Sequence, residues 1–357
     1  MWRCVMVVNA SNLFIIQSPL QLVSAIEAAN HFSSNRNILI VRYTSEQSTN
    51  VQINAILKLY NQWDDVQVIA PNVSVVVTGF RLIKLIFGLN NRGYKPARLF
   101  MGDYRSWYVP YLIKKCLAED YYLLDDGNAT IDLQKNYLPR GRYYFGEGLR
   151  GYIKKWLLFL LGPQSNKIMN LFTCFNLEPY CTQQSIIRHN FEYFRARSLS
   201  KLVDSSSVYF FGGPFSELGF MTLEQELNFL NKVNNKYLDK NINLIYVPHR
   251  RDSANKMKLI NSSLRIRVYE IKYCAEIDFI LSHVVPVGIA SFYSTVLYTL
   301  PKIVNFGFVD SYKFPISKMP KFHREAMEDV YREYSKLMNV IDLEADEKQN
   351  KNLFSDY

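Results

Sequence analysis

Four short polar clusters carry the residue types that chemistry needs, and each follows an apolar run. Asp125-Asp126-Gly127 comes directly after YYLL. A carboxylate at a strand end, partly withdrawn from water, has a raised pKa and can serve as a general base. Asp-Gly is also among the commonest turn dipeptides, so a plain turn is the competing reading. A carboxylate pair can hold a divalent ion, but no third ligand lies nearby in the sequence. Pro248-His249-Arg250-Arg251-Asp252 follows NLIYV. A histidine with two arginines suits a phosphate, by proton donation and by bidentate hydrogen bonding. The alternative is a solvated basic loop with Asp252 as a helix cap. Ser291 to Thr295 opens the run SFYSTVLYTL. Hydroxyls beside free N–H groups at a helix start form an anion site, whereas N-capping by Ser291 alone needs one hydroxyl. Gly212-Gly213-Pro214-Phe215-Ser216-Glu217 is a glycine turn where backbone can approach a ligand. It lacks the G-x-G-x-x-G spacing of a dinucleotide site.

These clusters need rigid elements behind them. The first half alternates apolar strand-like runs with helical stretches: Asn12–Gln17, Ile38–Tyr43, Val66–Ala70, Arg98–Gly102 and Tyr121–Leu124. Ser18 supplies an N-cap and Pro19 the first helical position of the first helix. Residues 141–200 are irregular and read as an insertion plus a connector. The alternation resumes at Val208–Gly213, Asn243–His249, Val284–Ala290 and Pro301–Phe306, followed by terminal helices. Continuous apolar strands alternating with helices imply parallel sheets covered on both faces. The expectation is an α/β chain of two Rossmann-like domains, residues 1–200 with the connector and 205–357. Ligands of open α/β sheets bind at the carboxyl ends of the strands, which puts the site in a cleft between the halves.

Size and charge are consistent with this. The chain has 357 residues, 48% of them hydrophobic, enough for two cores. The net charge of +10 admits nucleic acid, an anionic membrane or an anionic substrate. No nucleic-acid-binding signature accompanies it. Between residues 140 and 155, Arg140, Arg142, Arg150, Lys154 and Lys155 face only Glu147, while the stretch from Asp342 to Asp356 is acidic. Five scattered cysteines show neither metal-ligand spacing nor a disulfide framework, which fits a reducing compartment. The N-terminus makes a poor signal peptide. No apolar run approaches the ~20 residues that span a bilayer. A cytoplasmic location follows as the expectation.

The ordered set S-P-L-Q, D-D-G, G-G-P-F-S-E, Y-V-P-H-R-R-D and S-T resembles bacterial sialyltransferases, particularly the lipooligosaccharide sialyltransferase family and its polysialyltransferase relatives. The resemblance runs from about Leu13 to Phe306. It implies a GT-B fold, a CMP-linked nonulosonic acid donor, inversion at the anomeric carbon and no metal or other cofactor. It also implies roles. Asp125 would be the general base, with Asp126 as the substitute beside Gly127. His249 would contact the donor phosphate, as would Ser294 and Thr295, next to Ser291. Glu217, after Gly213 and Pro214, matches a position near the nucleotide. One departure stands out: the family's histidine is followed by proline, whereas here Pro248 precedes it and Arg250 follows. Arg250 would suit a donor with a further acidic group. Glu270 or Glu276 could accept from the cytosine amine.

The expected activity is transfer of a sialic or related acid to a hydroxyl of a cell-surface glycan or glycolipid. A UDP-hexose transferase on the same fold is the runner-up, and a non-catalytic membrane-surface binder stands third. The stretch RYYFGEGLRGYIKKWLLFLLG, residues 142–162, mixes cations with aromatics like a membrane-surface segment. It equally fits a core helix with a cationic solvent face. The first reading predicts peripheral contact with the inner face of the cytoplasmic membrane.

Overall fold

The computed structural model describes residues 11–71, 75–141, 143, 148–160, 167–314 and 321–343. Arg142, Glu147 and the acidic stretch beyond Leu343 lie outside them. The chain divides into two units, Met1–Tyr193 and Phe194–Tyr357, each built on its own sheet.

The first sheet has β1 (Ser11–Ile16), β2 (Arg36–Arg42), β3 (Asp65–Ile69), β4 (Arg98–Met101), β5 (Asp120–Leu124), β6 (Asn170–Thr173) and β7 (Ile186–Arg188). Their order is β3-β2-β1-β4-β5-β6-β7, with every pairing parallel. Its helices are α1 (Pro19–His31), α2 (Gln47–Leu59), α3 (Val75–Asn91), α4 (Val109–Cys116), α5 (Ala129–Asp132) and α6 (Gly148–Leu160), with α7 (Glu192–Arg195) at the junction of the units. Apolar runs that are buried on both faces set the register. Phe14, Phe100 and Tyr122 stand side by side on β1, β4 and β5. Their rings stack at 4.6 and 5.2 Å. Each such burial is worth ~1.5–3 kcal/mol, and a slip of one residue would turn the set to the other face. Ser18 caps α1 by accepting from the Gln21 N–H, and Pro19 opens the helix, as the sequence predicts.

The second sheet has β8 (Leu202–Phe211), β9 (Asn243–Val247), β10 (Arg267–Val268), β11 (Val284–Ser291), β12 (Phe308–Tyr312) and β13 (Asn339–Ile341). Their order is β10-β9-β8-β11-β12-β13, again wholly parallel. Its helices are α8 (Leu223–Leu238), α9 (Ala254–Ser262), α10 (Ala275–Leu281), α11 (Val296–Thr299) and α12 (Lys321–Tyr334). The core gathers Phe210, Phe215, Tyr246, Phe292, Tyr312 and Phe314. Strand order reverses between β1 and β4 in the first sheet and between β8 and β11 in the second. Such switch points are where loops splay apart and ligand sites form.

Three sequence expectations change. Residues 141–200 contain two strands, β6 and β7, which extend the first sheet. Pro301–Phe306 is not a strand: a short 3-10 turn, Leu300–Lys302, fills its start, and the strand is β12. Pro301 has no N–H for a ladder, which suits the turn. The ten-residue helix expected from Ser291 shrinks, because β11 runs through Ser291 and α11 spans only four residues.

Candidate functional site

In the N-terminal unit, β5 delivers the two adjacent aspartates to very different surroundings. Asp125 is 1% exposed. Its Oδ1 accepts from Thr173 Oγ1 at 2.5 Å and its Oδ2 from the Cys174 N–H at 2.7 Å. The carboxylate thus pins the end of β5 to the end of β6. One lone pair on each oxygen is engaged inside the protein, by partners 48 and 49 residues away. Asp126 is half-buried, with its side chain 20% exposed. Gln21 Nε2 donates to its Oδ1 at 2.7 Å, and Arg105 lies 3.4 Å from its Oδ2. The turn reading of Asp-Gly also holds: Gly127 sits at φ +66°, the left-handed region. Both aspartates follow the end of β5 at Leu124, and the turn comes directly after Asp126.

Gln21 is the residue of S-P-L-Q that reaches this site. It is fully buried on α1, and its Nε2 also donates to the Gly102 carbonyl at 2.9 Å. A Cβ at Gly102 would stand 2.1 Å from the Gln21 side chain, so only glycine leaves this path open. Beside it, at the β1/β4 switch point, a small open pocket is lined by Gln17, Gln21, Arg42, Asp103 and Tyr108 among others. Arg42 pairs with Asp103 at 3.7 Å and donates to the Tyr108 hydroxyl. Burial raises the pKa of Tyr108, which keeps that phenol protonated.

In the C-terminal unit, the loops after β8 and β9 are fastened together by a buried cation. Lys256, on α9, is 1% exposed. Its ammonium contacts Asp252 at 3.1 Å, Glu217 at 3.5 Å and Glu226, and donates to the Gly213 carbonyl at 2.7 Å. Lysine is almost never fully buried unless paired, and here three carboxylates surround it. Burial pushes the Glu226 carboxyl above its usual range against the pull of Lys256. For Glu217, burial pushes up as well, but the Ser253 N–H, Lys256 and further hydrogen bonds outweigh it, and the net direction is down. Glu217 Oε1 accepts from that Ser253 N–H at 2.9 Å, at the start of α9. Ser253, not Asp252, caps α9.

Asp252 has another task. Its Oδ2 accepts from the His249 N–H at 2.9 Å and from the Tyr246 hydroxyl at 2.7 Å. His249 Nδ1 accepts from the Arg251 N–H at 3.2 Å. A neutral imidazole that accepts at Nδ1 carries its proton on Nε2. The loop therefore selects the tautomer in which Nε2–H is a donor. Arg250 is exposed on the same loop. Gly212 makes the geometry possible: a Cβ there would meet the Tyr246 hydroxyl at 2.1 Å and Asp252 Oδ2 at 2.8 Å. At Gly213 a Cβ would meet the Phe215 ring at 2.6 Å, with Pro214 half-buried between them in sequence.

The hydroxyl cluster separates into two roles. Ser291 is buried, and its Oγ donates to the Phe211 carbonyl at 2.7 Å, tying β11 to β8. It is the last residue of β11, ahead of the Ser294-Thr295 turn. Ser294 and Thr295 are half-buried at the start of α11, and Tyr334 donates to the Ser294 carbonyl at 2.8 Å. Glu276 is 3% exposed, and its Oε1 accepts from Thr299 Oγ1 at 2.6 Å. That bond braces α10 against α11. Glu270 is exposed.

Gln21, Arg105, Thr173, His189 and Lys256 were not singled out in the sequence. For Gln21 a signal existed in S-P-L-Q. For Lys256 the only local hint is its spacing of four from Asp252.

Comparison with known proteins bears on the family and the fold. The family model described as Alpha-2,8-polysialyltransferase (POLYST) matches residues 131–313, just over half of the chain. The match includes Glu217, His249, Ser294 and Thr295 and begins five residues after Asp126. No curated protein sequence matches. Among solved structures, an alpha/beta-galactoside alpha-2,3-sialyltransferase from Photobacterium phosphoreum superposes with a TM-score of 0.53 at 12% identity, covering 94% of this chain and 99% of that one. A putative UDP-N-acetylglucosamine 2-epimerase from Listeria monocytogenes gives 0.53 at 10% identity, over 85% and 79%. The UDP-GlcNAc 2-epimerase of Methanocaldococcus jannaschii gives 0.52 at 12%, over 93% and 88%. At these identities the likeness is one of fold, the GT-B class of two Rossmann-like sheets. With its family match spanning both the β8 and β9 loops and the Ser-Thr turn, the chain belongs to the alpha-2,8-polysialyltransferase family and is a glycosyltransferase of the sialyltransferase kind.

Proposed function

We propose that the protein transfers a sialic acid or related nonulosonic acid from a CMP-sugar to a hydroxyl of a cell-surface glycan, with inversion and without metal. The observation that carries this reading is the His249 loop, with its proton directed to Nε2 and its backbone tethered to Asp252. A phosphate monoester leaves more readily when a donor neutralises its oxygen. In this reading His249 Nε2–H meets the departing CMP phosphate, Arg250 adds positive charge, and Ser294 and Thr295 supply hydroxyls. Asp126 takes the acceptor proton as the new bond to the anomeric carbon forms. The transition state is oxocarbenium-like, as in glycosyl transfer generally.

The epimerases match the fold as well as the sialyltransferase does, so a uridine nucleotide is the second reading. Thermal shift with CMP, UDP and GDP separates the two. CMP is expected to raise Tm selectively, and His249→Ala to lose at least tenfold in CMP affinity. A selective rise with UDP, or CMP binding unchanged in His249→Ala, defeats the assignment.

The same reading places the enzyme on the cytoplasmic face of the membrane, bound peripherally. No helix among the described residues is long and apolar enough to cross a bilayer. On α6, Leu149, Tyr152, Ile153, Trp156, Phe159 and Leu160 are all exposed. They recur at helical spacing on one face, with Lys154 and Lys155 outside that stripe. An unpartnered apolar stripe beside cations suits an anionic lipid surface. Sedimentation with anionic vesicles should carry the protein down in low salt. Trp156→Ser with Phe159→Ser should abolish this while leaving Tm unchanged. Equal binding to neutral vesicles would remove the electrostatic part of the argument.

A further inference from the structure

We infer that Glu27, His189 and Glu192 form a binding site for a divalent transition-metal ion of the zinc class. Glu27 comes from α1, His189 follows β7, and Glu192 opens α7. One ligand atom from each lies within 4.8 Å of the other two. The observation that points to a ligand is the histidine. His189 is 1% exposed, and neither ring nitrogen has a hydrogen-bond partner. A buried polar group without a partner asks for an explanation, of which an ion is one. The ring cannot swing away to find a partner. Phe172 stacks on it at 4.5 Å and 9°, and Phe191 packs edge-on at 4.8 Å.

The surroundings match what a histidine–metal bond uses. Asp125 Oδ2 lies 3.5 Å from His189 Nε2, too long for a good hydrogen bond yet close enough to tighten. A metal-bound histidine commonly gives its other ring N–H to such a carboxylate, which fixes its tautomer. Both glutamates are already steered by backbone. Glu27 Oε2 accepts from the Tyr193 N–H at 3.2 Å, and the Glu192 oxygens accept from the Asn190 N–H at 3.0 Å. Each carboxylate keeps further lone pairs. Ligand atoms ~2.0–2.2 Å from zinc stand ~3.4 Å apart in a tetrahedron. The exposed Glu192 side chain can close the remaining gap by a rotamer change. One nitrogen and two carboxylates, with no thiolate, suit zinc or cobalt(II) rather than a softer ion. A fourth position is left for water.

Such an ion would join α1 to the segment after β7. The proposed transfer step does not use this ion, so transfer without added metal has no bearing on it, and the inference does not rest on the transferase reading. The test uses the full-length protein stripped with chelator and titrated with zinc chloride, followed by calorimetry and by Tm. Cobalt(II) absorption serves as a second readout. One equivalent should bind, Tm should rise, and Glu192→Gln should weaken binding at least tenfold. Glu192 is exposed, so this variant keeps the fold even if His189→Gln does not. Absence of saturable binding at micromolar zinc, or undiminished binding in both Glu192→Gln and Glu27→Gln, overturns the site.

Discussion

Asp126→Asn is expected to lower kcat for sialyl transfer by ~10²–10⁴-fold, the usual worth of a general base, with Tm nearly unchanged. The asparagine keeps the size of the side chain and an acceptor for Gln21, and the Arg105 contact it weakens is half-exposed. Asp125→Asn should behave in the opposite way. Its carboxylate is 1% exposed and accepts from Thr173 and from the Cys174 N–H. An amide in that place presents N–H₂ to at least one donor, at a cost of ~1–3 kcal/mol. That is several degrees in Tm, with kcat per folded molecule largely kept. Initial rates with CMP-Neu5Ac beside melting curves decide the matter. If Asp125→Asn melts normally and is inactive while Asp126→Asn turns over, the roles are reversed.

Lys256→Met should destabilise the protein by ~3–5 kcal/mol, because it strands three carboxylates around a site from which water is excluded. Methionine fills the space of the lysine stem, so the loss reports charge rather than a cavity. The double variant Lys256→Met with Glu226→Gln should recover part of the loss, since Glu226 is buried, its carboxyl already sits above its usual range, and a glutamine keeps an acceptor for the Ser216 N–H. Urea melts at neutral pH measure both. A loss under ~1 kcal/mol for the single change would mean that the carboxylates find protons or water once the lysine is gone. The cluster would then not be what ties the two loops together.

The contrast between these residues explains what could be read in advance. Runs such as NLFII and NLIYV announce buried parallel strands because both faces are apolar, and S-P marks the first helix through a capping hydroxyl and a proline at its start. The strands that escaped notice are short or carry polar residues: NLFT, IIR, the two residues of β10, FVDSY and NVI. Conversely, PKIVNF is apolar enough to pass for a strand until the proline turn at its start is counted. At the site, adjacent aspartates are chemically alike in sequence. Only Thr173 and Cys174, brought in by β6, make one a brace and leave the other half-open. The hydrogen bonds of Ser291 and Glu276 were hidden for the same reason, since their partners Phe211 and Thr299 lie 80 and 23 residues away. Lys256 in ANKMKL reads as solvated surface, and only its spacing of four from Asp252 hints otherwise.

The bond from the His249 N–H to Asp252, itself gripped by Tyr246 and Lys256, has a consequence for affinity. A loop that must order itself around a ligand subtracts its lost conformational entropy from the binding free energy, residue by residue. Here that ordering is completed when the unit folds. A phosphate arriving at His249 would meet a loop whose backbone is already immobilised, and nearly all of its interaction energy would remain available for the departing charge.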